Sequence, residues 1–214
     1  MNRLIKKRKS SGLLALGLIP LIGTAFPTWS QSTAHPSSSQ KFAGTMKYDL
    51  EHHDRDIHWP EGFRPETADL FSHNEATIRA SCKDVWEHIV DATRWPQWYP
   101  NSKGVSIVGD GSALTTGSVF HWTAFGLPLE SKVNEFVPYS RIGWYGYAPG
   151  TMPDAAHSFY HTWYLVPKGG ACRVVTDEVG KGPDAAHLRE KDESLMHRGH
   201  DLWLATLKWA SENR

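Results

Sequence analysis

The sequence has few of the features that assign a function directly. It contains only two cysteines in 214 residues, and its 23 basic residues balance its 23 acidic ones. It has no nucleophile elbow, no glycine-rich phosphate loop and no zinc motif of cysteines and histidines. We therefore expect neither a metal nor another cofactor, and no motif places the chain among the common hydrolases or nucleotide-binding enzymes.

The balanced charge conceals an uneven distribution. The first 30 residues hold five basic residues and no acidic one, which leaves the remainder with a net charge of −5. Nucleic-acid-binding proteins use basic patches to contact phosphates, so a mildly acidic domain is a poor candidate for that class. We expect no nucleic-acid partner.

Residues 1–30 have the layout of an export signal. A basic segment, NRLIKKRK, precedes the apolar segment GLLALGLIPLIGTAF, which Pro20 interrupts. A membrane-spanning helix needs about 20 apolar residues, so this segment suits a signal peptide better than a permanent anchor. Cleavage after Ala25 or after Ser30 would release an exported protein, periplasmic or secreted, without a stable membrane span. An uncleaved anchor is the alternative.

Residues 31–72 read as a polar linker followed by an extension on the surface of the main domain, 73–214. The linker QSTAHPSSSQ is rich in serine and has no means of packing. The extension has no periodicity, and four aromatic residues are expected to pin it to the domain: Tyr48, Trp59, Phe63 and Phe71. It also carries His52, His53, Asp54, Asp56 and His58. Their spacing matches no metal motif, so a solvated loop is the preferred interpretation over a metal site.

The stretch from Thr77 to Pro100 organises the main domain. A short strand over 75–80 leads to Ser81, a helix-capping type of residue, and then to a helix with apolar residues at Val85, Trp86 and Ile89. The sequence TRWPQWYP ends that helix, because a residue before proline disfavours helical backbone. The result is a strand, a helix and a bent aromatic segment with Trp95, Trp98 and Tyr99.

Alternating strands and a long helix make up the rest. Strands are predicted over 101–109, 118–125, 129–137, 141–147, 157–167 and 171–180, with short turns between them. One helix is predicted from about Asp184 to about Glu212, with an apolar stripe that includes Leu195, Gly199, Leu202 and Trp203. Successive antiparallel strands flanked by helices define an α+β domain.

These elements resemble the SRPBCC, or START-like, superfamily, and within it the polyketide cyclase/dehydrase and lipid-transport group. The residues that carry the resemblance are Ile78-x-Ala80, Val85-Trp86-x-x-Ile89, Asp91, Trp95-Pro96-x-Trp98-Tyr99-Pro100, Thr176-x-Glu178-x-x-Gly180 and Trp203-Leu204-x-x-Leu207-Lys208. The resemblance implies a helix-grip fold, in which a curved antiparallel sheet of about seven strands wraps around the C-terminal helix. It covers the chain from about Asp69 onward.

The same resemblance implies a cavity between helix and sheet, and alternation tells which residues share its face. The expected lining is Phe120, Trp122, Val133, Ile142, Trp144, Phe159, His161, Trp163, Thr176, Glu178, Met196, Gly199 and Trp203. A mostly aromatic lining with a few polar groups suits a small apolar ligand. The alternative is that these aromatic residues simply fill the core, since large rings also dominate cores.

His161 and Glu178 are the candidate catalytic residues. An imidazole and a carboxylate meeting in an apolar cavity could move a proton during a cyclisation or dehydration. The alternative, which we prefer, is a buried polar group that includes Thr176 and holds the strands in register. His200 on the last helix is a third candidate, but it could equally face solvent.

Cys82 and Cys172 are candidates for a disulfide, which export would permit. In the fold that the resemblance implies, the first and last strands pair antiparallel, and the two cysteines fall where those strands meet. Two buried free thiols are the alternative.

The function that these features favour is binding or carriage of a small hydrophobic molecule, lipid or polyketide-like, outside the cytoplasm. A cyclase or dehydratase that uses His161 and Glu178 is the alternative, so enzymatic activity stays open. A protein without a pocket that works through its surface is a third possibility. The oligomeric state does not follow from the sequence.

Overall fold

Seven antiparallel strands form one curved sheet in the computed structural model, which describes residues 44–154 and 156–213. The expected export signal and the linker up to residue 43 lie outside the described residues. The order across the sheet is β1-β7-β6-β5-β4-β3-β2. The strands are β1 (Leu70–Ile78), β2 (Ser102–Ile107), β3 (Val119–Ala124), β4 (Leu127–Val137), β5 (Arg141–Tyr147), β6 (Phe159–Lys168) and β7 (Ala171–Gly180).

Among the described residues, four α-helices accompany the sheet: α1 (Met46–His52), α2 (Cys82–Val90), α3 (Pro183–Asp192) and α4 (Leu195–Glu212). Short 3-10 helices cover Pro65–Thr67 and Ala92–Gln97. Ser81 caps α2 as expected, because its hydroxyl accepts a hydrogen bond from the backbone N–H of Asp84 at 3.1 Å. None of the helices in 44–154 and 156–213 is long and apolar enough to cross a membrane.

The C-terminal helix differs from the prediction, because it is two helices rather than one. The break falls at Glu193 and Ser194, between α3 and α4. The Asp192 carboxylate accepts hydrogen bonds from the Ser194 hydroxyl at 2.8 Å and from the Ser194 backbone N–H at 3.2 Å. Such local side-chain bonds compete with the helical ladder, which gives the break a physical cause.

The first strand also differs in its bounds, since it begins at Leu70 rather than at Glu75. Its whole length pairs with β7, from Leu70 opposite Gly180 to Ile78 opposite Cys172. Pairing with a strand about 100 residues away is invisible to local periodicity. The part from Leu70 to Asn74 is buried throughout, so alternation could not mark it as a strand.

Different parts of the chain pack against the two faces of the sheet. Helix α4 packs on the inner face, where Trp203 meets the rings of His161 and Trp163. The extension that precedes β1 covers the outer face, where Phe63 and Phe71 are buried against Tyr160. Aromatic side chains therefore attach this part of the chain to the outer face of the sheet.

Candidate functional site

The inner face carries a row of side chains that changes from polar to apolar across five strands. Ser72 lies opposite Glu178, Glu178 opposite His161, and His161 opposite Trp144, which in turn lies opposite Val133. Because paired residues of neighbouring strands project on the same face, the row follows directly from the strand register. Its polar end lies at β1, β7 and β6, next to α4.

The apolar end of this face is a cluster of aromatic rings. Trp95 meets Trp122, Trp144 and Trp203 with ring centroids 5.3, 5.7 and 5.3 Å apart. Trp203 also stacks on Tyr99 at 4.4 Å with the planes 6° apart. These distances are those of directly packed rings. Trp203 of α4 and Trp95 therefore pack directly on the aromatic side chains of the sheet and cover them.

Most of the expected cavity lining lies in this layer between sheet and α4. The buried members are Phe120, Trp122, Val133, Ile142, Trp144, His161, Trp163, Thr176, Gly199 and Trp203. Phe159, Glu178 and Met196 are only partly buried. Two openings of about 430 and 410 Å³ lie elsewhere, along the extension and beside α1, and none of the thirteen residues lines them.

The polar end is a connected group of side chains around two imidazole rings. His161 Nε2 lies 2.7 Å from the Thr176 hydroxyl, and His200 Nε2 lies 3.2 Å from a carboxylate oxygen of Glu178. The Ser72 hydroxyl lies 2.8 Å from His200 Nδ1, the other nitrogen of that ring. The rings of His161 and His200 are 4.7 Å apart. His161 and Glu178 therefore belong to the same polar group. The polar partner of His161 is Thr176, however, and that of Glu178 is His200.

His161 is electrically neutral in this setting. Complete burial, together with the nearby His200, lowers the pKa of His161 well below its usual value. Its ring is enclosed by those of Trp144, Trp163 and Trp203 at 5.0, 5.4 and 5.2 Å. An uncharged imidazole can accept a hydrogen bond or bind a metal, but it offers little as a cationic acid near neutral pH.

One buried donor of the aromatic layer has no partner among the described residues. The indole N–H of Trp163 is buried and makes no hydrogen bond. The indole N–H groups of Trp95 and Trp122, in contrast, donate to the Ile89 carbonyl and the Ser131 hydroxyl at 3.0 Å each. An unpaired buried donor costs about 1–3 kcal/mol, so an acceptor there would be favourable.

The two cysteines form a disulfide, with Cα atoms 4.9 Å apart. Cys172 lies opposite Ile78 at the end of β1, and Cys82 opens α2 four residues later. The bond ties the start of α2 to the start of β7. The chain that it closes includes the aromatic segment and strands β2–β6.

The acidic and histidine residues of the extension have separate partners. His52 Nδ1 lies 2.7 Å from the Tyr48 carbonyl, His58 Nδ1 lies 2.7 Å from Glu135, and Asp54 pairs with Arg173 at 2.7 Å. The last two contacts attach the extension to the sheet. They fit the interpretation of a polar surface segment better than that of a metal site.

The sequence analysis did not predict the burial of two residues of the polar group. The position of His200 stayed open there, and the structure places it inside, with Leu204, while Leu195 and Leu202 of the predicted stripe are 38% exposed. Ser72 was assigned to the surface extension, but it lies fully buried on β1. His200 lies three residues before Trp203 and seven before Leu207, a helical spacing that indicates the same buried face. No sequence feature indicated that Ser72 is buried.

Comparison with known proteins supports the fold. A model of the family described as polyketide cyclase / dehydrase and lipid transport matches residues 72–199. No curated protein matches the chain. A crystal structure of a hypothetical protein from Helicobacter pylori is 26% identical and superposes with a TM-score of 0.66, covering 75% of this chain and 98% of that one.

More distant structures show the same fold. A crystal structure from Thermus thermophilus is 17% identical with a TM-score of 0.52, covering 66% of this chain and 96% of its own. The solution structure of an Aha1 dimer from Colwellia psychrerythraea is 17% identical with a TM-score of 0.50, covering 67% and 97%. At this level of identity the likeness concerns architecture alone.

Proposed function

Because this chain belongs to the polyketide cyclase / dehydrase and lipid transport family, we propose that it binds and carries a small hydrophobic molecule, lipid or polyketide-like, between α4 and the inner face. The family supplies a ligand-binding fold. The identity of the ligand class is argued below from the residues of the inner face.

The observation that carries the proposal is the change from apolar to polar across that face. Trp122 and Trp144 form a continuous apolar layer with Trp95 and Trp203. The Ser72–Glu178–His161 row borders this layer with polar groups. Binding sites for small apolar molecules combine such a surface with a few polar groups that set orientation. The expected ligand therefore has an apolar body and a polar end.

The buried indole N–H of Trp163, which makes no hydrogen bond, indicates which chemical group the polar end of the ligand carries. The Trp163 ring contacts both His161 and Trp203, where the polar and aromatic parts of the face meet. An oxygen of a carbonyl or carboxylate would accept its hydrogen bond. A hydrocarbon would leave the donor unpaired, so the site should prefer an oxygen-bearing ligand to a hydrocarbon of equal size.

Entry of a ligand requires α4 to move away from the sheet. The two residues between α3 and α4 provide a joint at one end of α4. Near the same end, Gly199 lies under the ring of Phe125, at the tip of the β3–β4 hairpin, with no side chain between them. Phe125 is 51% exposed and is held to α4 by this contact. Separation of the hairpin from α4 would therefore expose the aromatic layer.

Binding is favoured over the alternative of a cyclase or dehydratase. The ring of His161 is enclosed by three tryptophans, and its Nε2 is engaged by Thr176. A substrate atom would first have to displace this packing to reach the imidazole. Binding and transport of a ligand require only that the aromatic rings of the inner face move apart to admit it.

We further propose that the protein works outside the cytoplasm after removal of its N-terminal signal. The Cys82–Cys172 disulfide supports this location, because disulfides persist in oxidising compartments and are rare in the cytosol. The full chain should be expressed in a bacterium and the extracytoplasmic fraction analysed by intact mass. Loss of about 25–30 residues supports export with cleavage; a full-length cytoplasmic protein would refute it.

The ligand proposal is tested on the exported protein, purified without reducing agent. An organic extract is analysed by mass spectrometry for apolar compounds. The protein is then titrated with a fluorescent fatty acid and with a fluorescent hydrocarbon of the same length. Variant Trp163→Phe keeps a ring but removes the N–H, and Trp209→Phe makes the matching change at a 65% exposed tryptophan.

We expect one fatty acid bound per chain, more tightly than the hydrocarbon. Loss of one hydrogen bond, about 1 kcal/mol, should weaken fatty-acid binding about fivefold in Trp163→Phe and leave hydrocarbon binding unchanged. Trp209→Phe should behave as the wild type. An empty extract together with no uptake of either probe would show that the aromatic layer is only a filled core, and would refute the proposal.

A further inference from the structure

We propose that His161, Glu178 and His200 form a binding site for a divalent transition-metal ion, of the zinc type, at the polar end of the inner face. Each of the three offers one ligand atom, and these atoms all lie within 4.8 Å of one another. They come from β6, β7 and α4, so no sequence motif links them. The proposal does not depend on the hydrophobic ligand.

The residue types match the chemistry of such an ion. Imidazole nitrogen and carboxylate oxygen are ordinary zinc ligands, and two histidines with one carboxylate leave a fourth position for water or a ligand oxygen. At metal–ligand distances of about 2.0–2.2 Å, tetrahedral ligand atoms lie about 3.4 Å apart. The contact between His200 and Glu178 is already 3.2 Å. Because all three ligand atoms lie within 4.8 Å of one another, side-chain adjustments of about 1.4 Å or less would bring His161 into the same shell.

The backbone fixes two of the ligands rigidly. His161 and Glu178 are directly opposite each other on neighbouring strands in the sheet. Sites built on strands hold their ligands more accurately than sites built on loops. His200 approaches from the buried side of α4, where the adjacent Gly199 and Trp203 are also buried.

Further side chains orient the two imidazoles, as in established metal sites. The Ser72 hydroxyl is 2.8 Å from Nδ1 of His200, so the Nε2 atom is the one that faces Glu178. The Thr176 hydroxyl holds one ring nitrogen of His161 at 2.7 Å. Metal-binding histidines usually engage the second nitrogen in this way, which fixes the ring and its tautomer.

Charge and access also suit a cation. The carboxylate of Glu178 supplies an anionic oxygen ligand beside the two imidazole rings. The Glu178 side chain is 18% exposed, whereas that of His200 is 5% exposed. An ion can therefore reach the carboxylate from solvent while the rest of the site stays enclosed.

The experiment measures Zn²⁺ binding to the exported protein by calorimetry and Co²⁺ binding by visible absorption, after removal of bound metal with a chelator and without an affinity tag. The test variants are Glu178→Gln and His200→Ala. The matched control is His121→Ala, because His121 and Glu130 form an exposed pair at the same distance of 3.2 Å. Ser72→Ala keeps all three ligands and removes only the support of His200.

We expect one Zn²⁺ per chain, with a Co²⁺ spectrum of low coordination number. Glu178→Gln and His200→Ala should abolish this spectrum, Ser72→Ala should weaken the affinity at least about tenfold, and His121→Ala should change neither. The proposal is overturned if the wild type binds no Zn²⁺, or if Glu178→Gln and His200→Ala, folded by circular dichroism, bind as well as the wild type. Fatty-acid binding is measured in parallel, so failure of the metal site is separable from failure of the ligand site.

Discussion

Reduction of the Cys82–Cys172 disulfide should lower the free energy of unfolding substantially, and the size of the effect follows from the chain that it closes. The two cysteines are 90 residues apart in sequence. The loop-closure relation gives about 4–5 kcal/mol for a loop of this length, and measured values are typically about 2–4 kcal/mol. The loss should act through the unfolded chain, because both bonded cysteines are buried, with Cys82 8% and Cys172 0% exposed, and we expect the reduced thiols to keep these positions.

Urea denaturation of the purified domain, with and without reducing agent, measures this difference. We expect reduction to lower the extrapolated free energy of unfolding by about 2–4 kcal/mol and to increase its slope with urea, since an unlinked chain exposes more surface. The double variant Cys82→Ala/Cys172→Ala is the control, because reducing agent should have no effect on it. Titration of the denatured, unreduced protein should find no free thiol.

The reasoning is refuted if the oxidised and reduced proteins unfold at the same urea concentration. It is also refuted if two thiols react in the unreduced, denatured protein. Either result would remove the support that the disulfide gives to export.

Two further predictions concern α4. Trp203→Ala should cost about 3–5 kcal/mol, because Trp203 is 3% exposed and stacks on Tyr99. Trp209→Ala, 65% exposed on the same helix, should cost less than about 0.5 kcal/mol in the same urea experiment; equal costs would contradict the assigned face of α4. Burial by itself would lower the pKa of His197, but the hydrogen bond and charge of Asp49 on α1 outweigh it and raise that pKa. The pair therefore stabilises the domain fully below about pH 6.5 and loses its effect as the pH rises through the folded value. His197→Asn should remove this loss of stability as the pH rises above about 6.5, and an unchanged pH profile would show that the pair does not titrate as described.

Local sequence patterns predicted the strands well where one face is buried and the other is exposed. In β3, the buried residues Phe120 and Trp122 alternate with more exposed neighbours, which period-two analysis detects. The buried start of β1 has no such alternation, and its bounds were misplaced. The break between α3 and α4 was missed because it depends on the hydrogen bonds of Asp192 to Ser194 rather than on hydrophobic pattern.

The amino-acid pattern alone therefore predicted an α+β domain and which residues share a strand face, while the choice of the inner face came from the family resemblance. These properties follow from short-range geometry: side chains alternate along strands, and a proline after Trp95 stops a helix. They do not depend on which strands become neighbours.

The polar group is different, because only the folded chain brings its members together. The Ser72 hydroxyl and the His200 ring that it contacts are 128 residues apart in sequence. The rotation of α4 that buries His200, and leaves Leu195 and Leu202 partly exposed, is set by packing against a curved sheet. A buried imidazole is tolerated only where partners satisfy its nitrogens, and here those partners lie on two separate strands, β1 and β7.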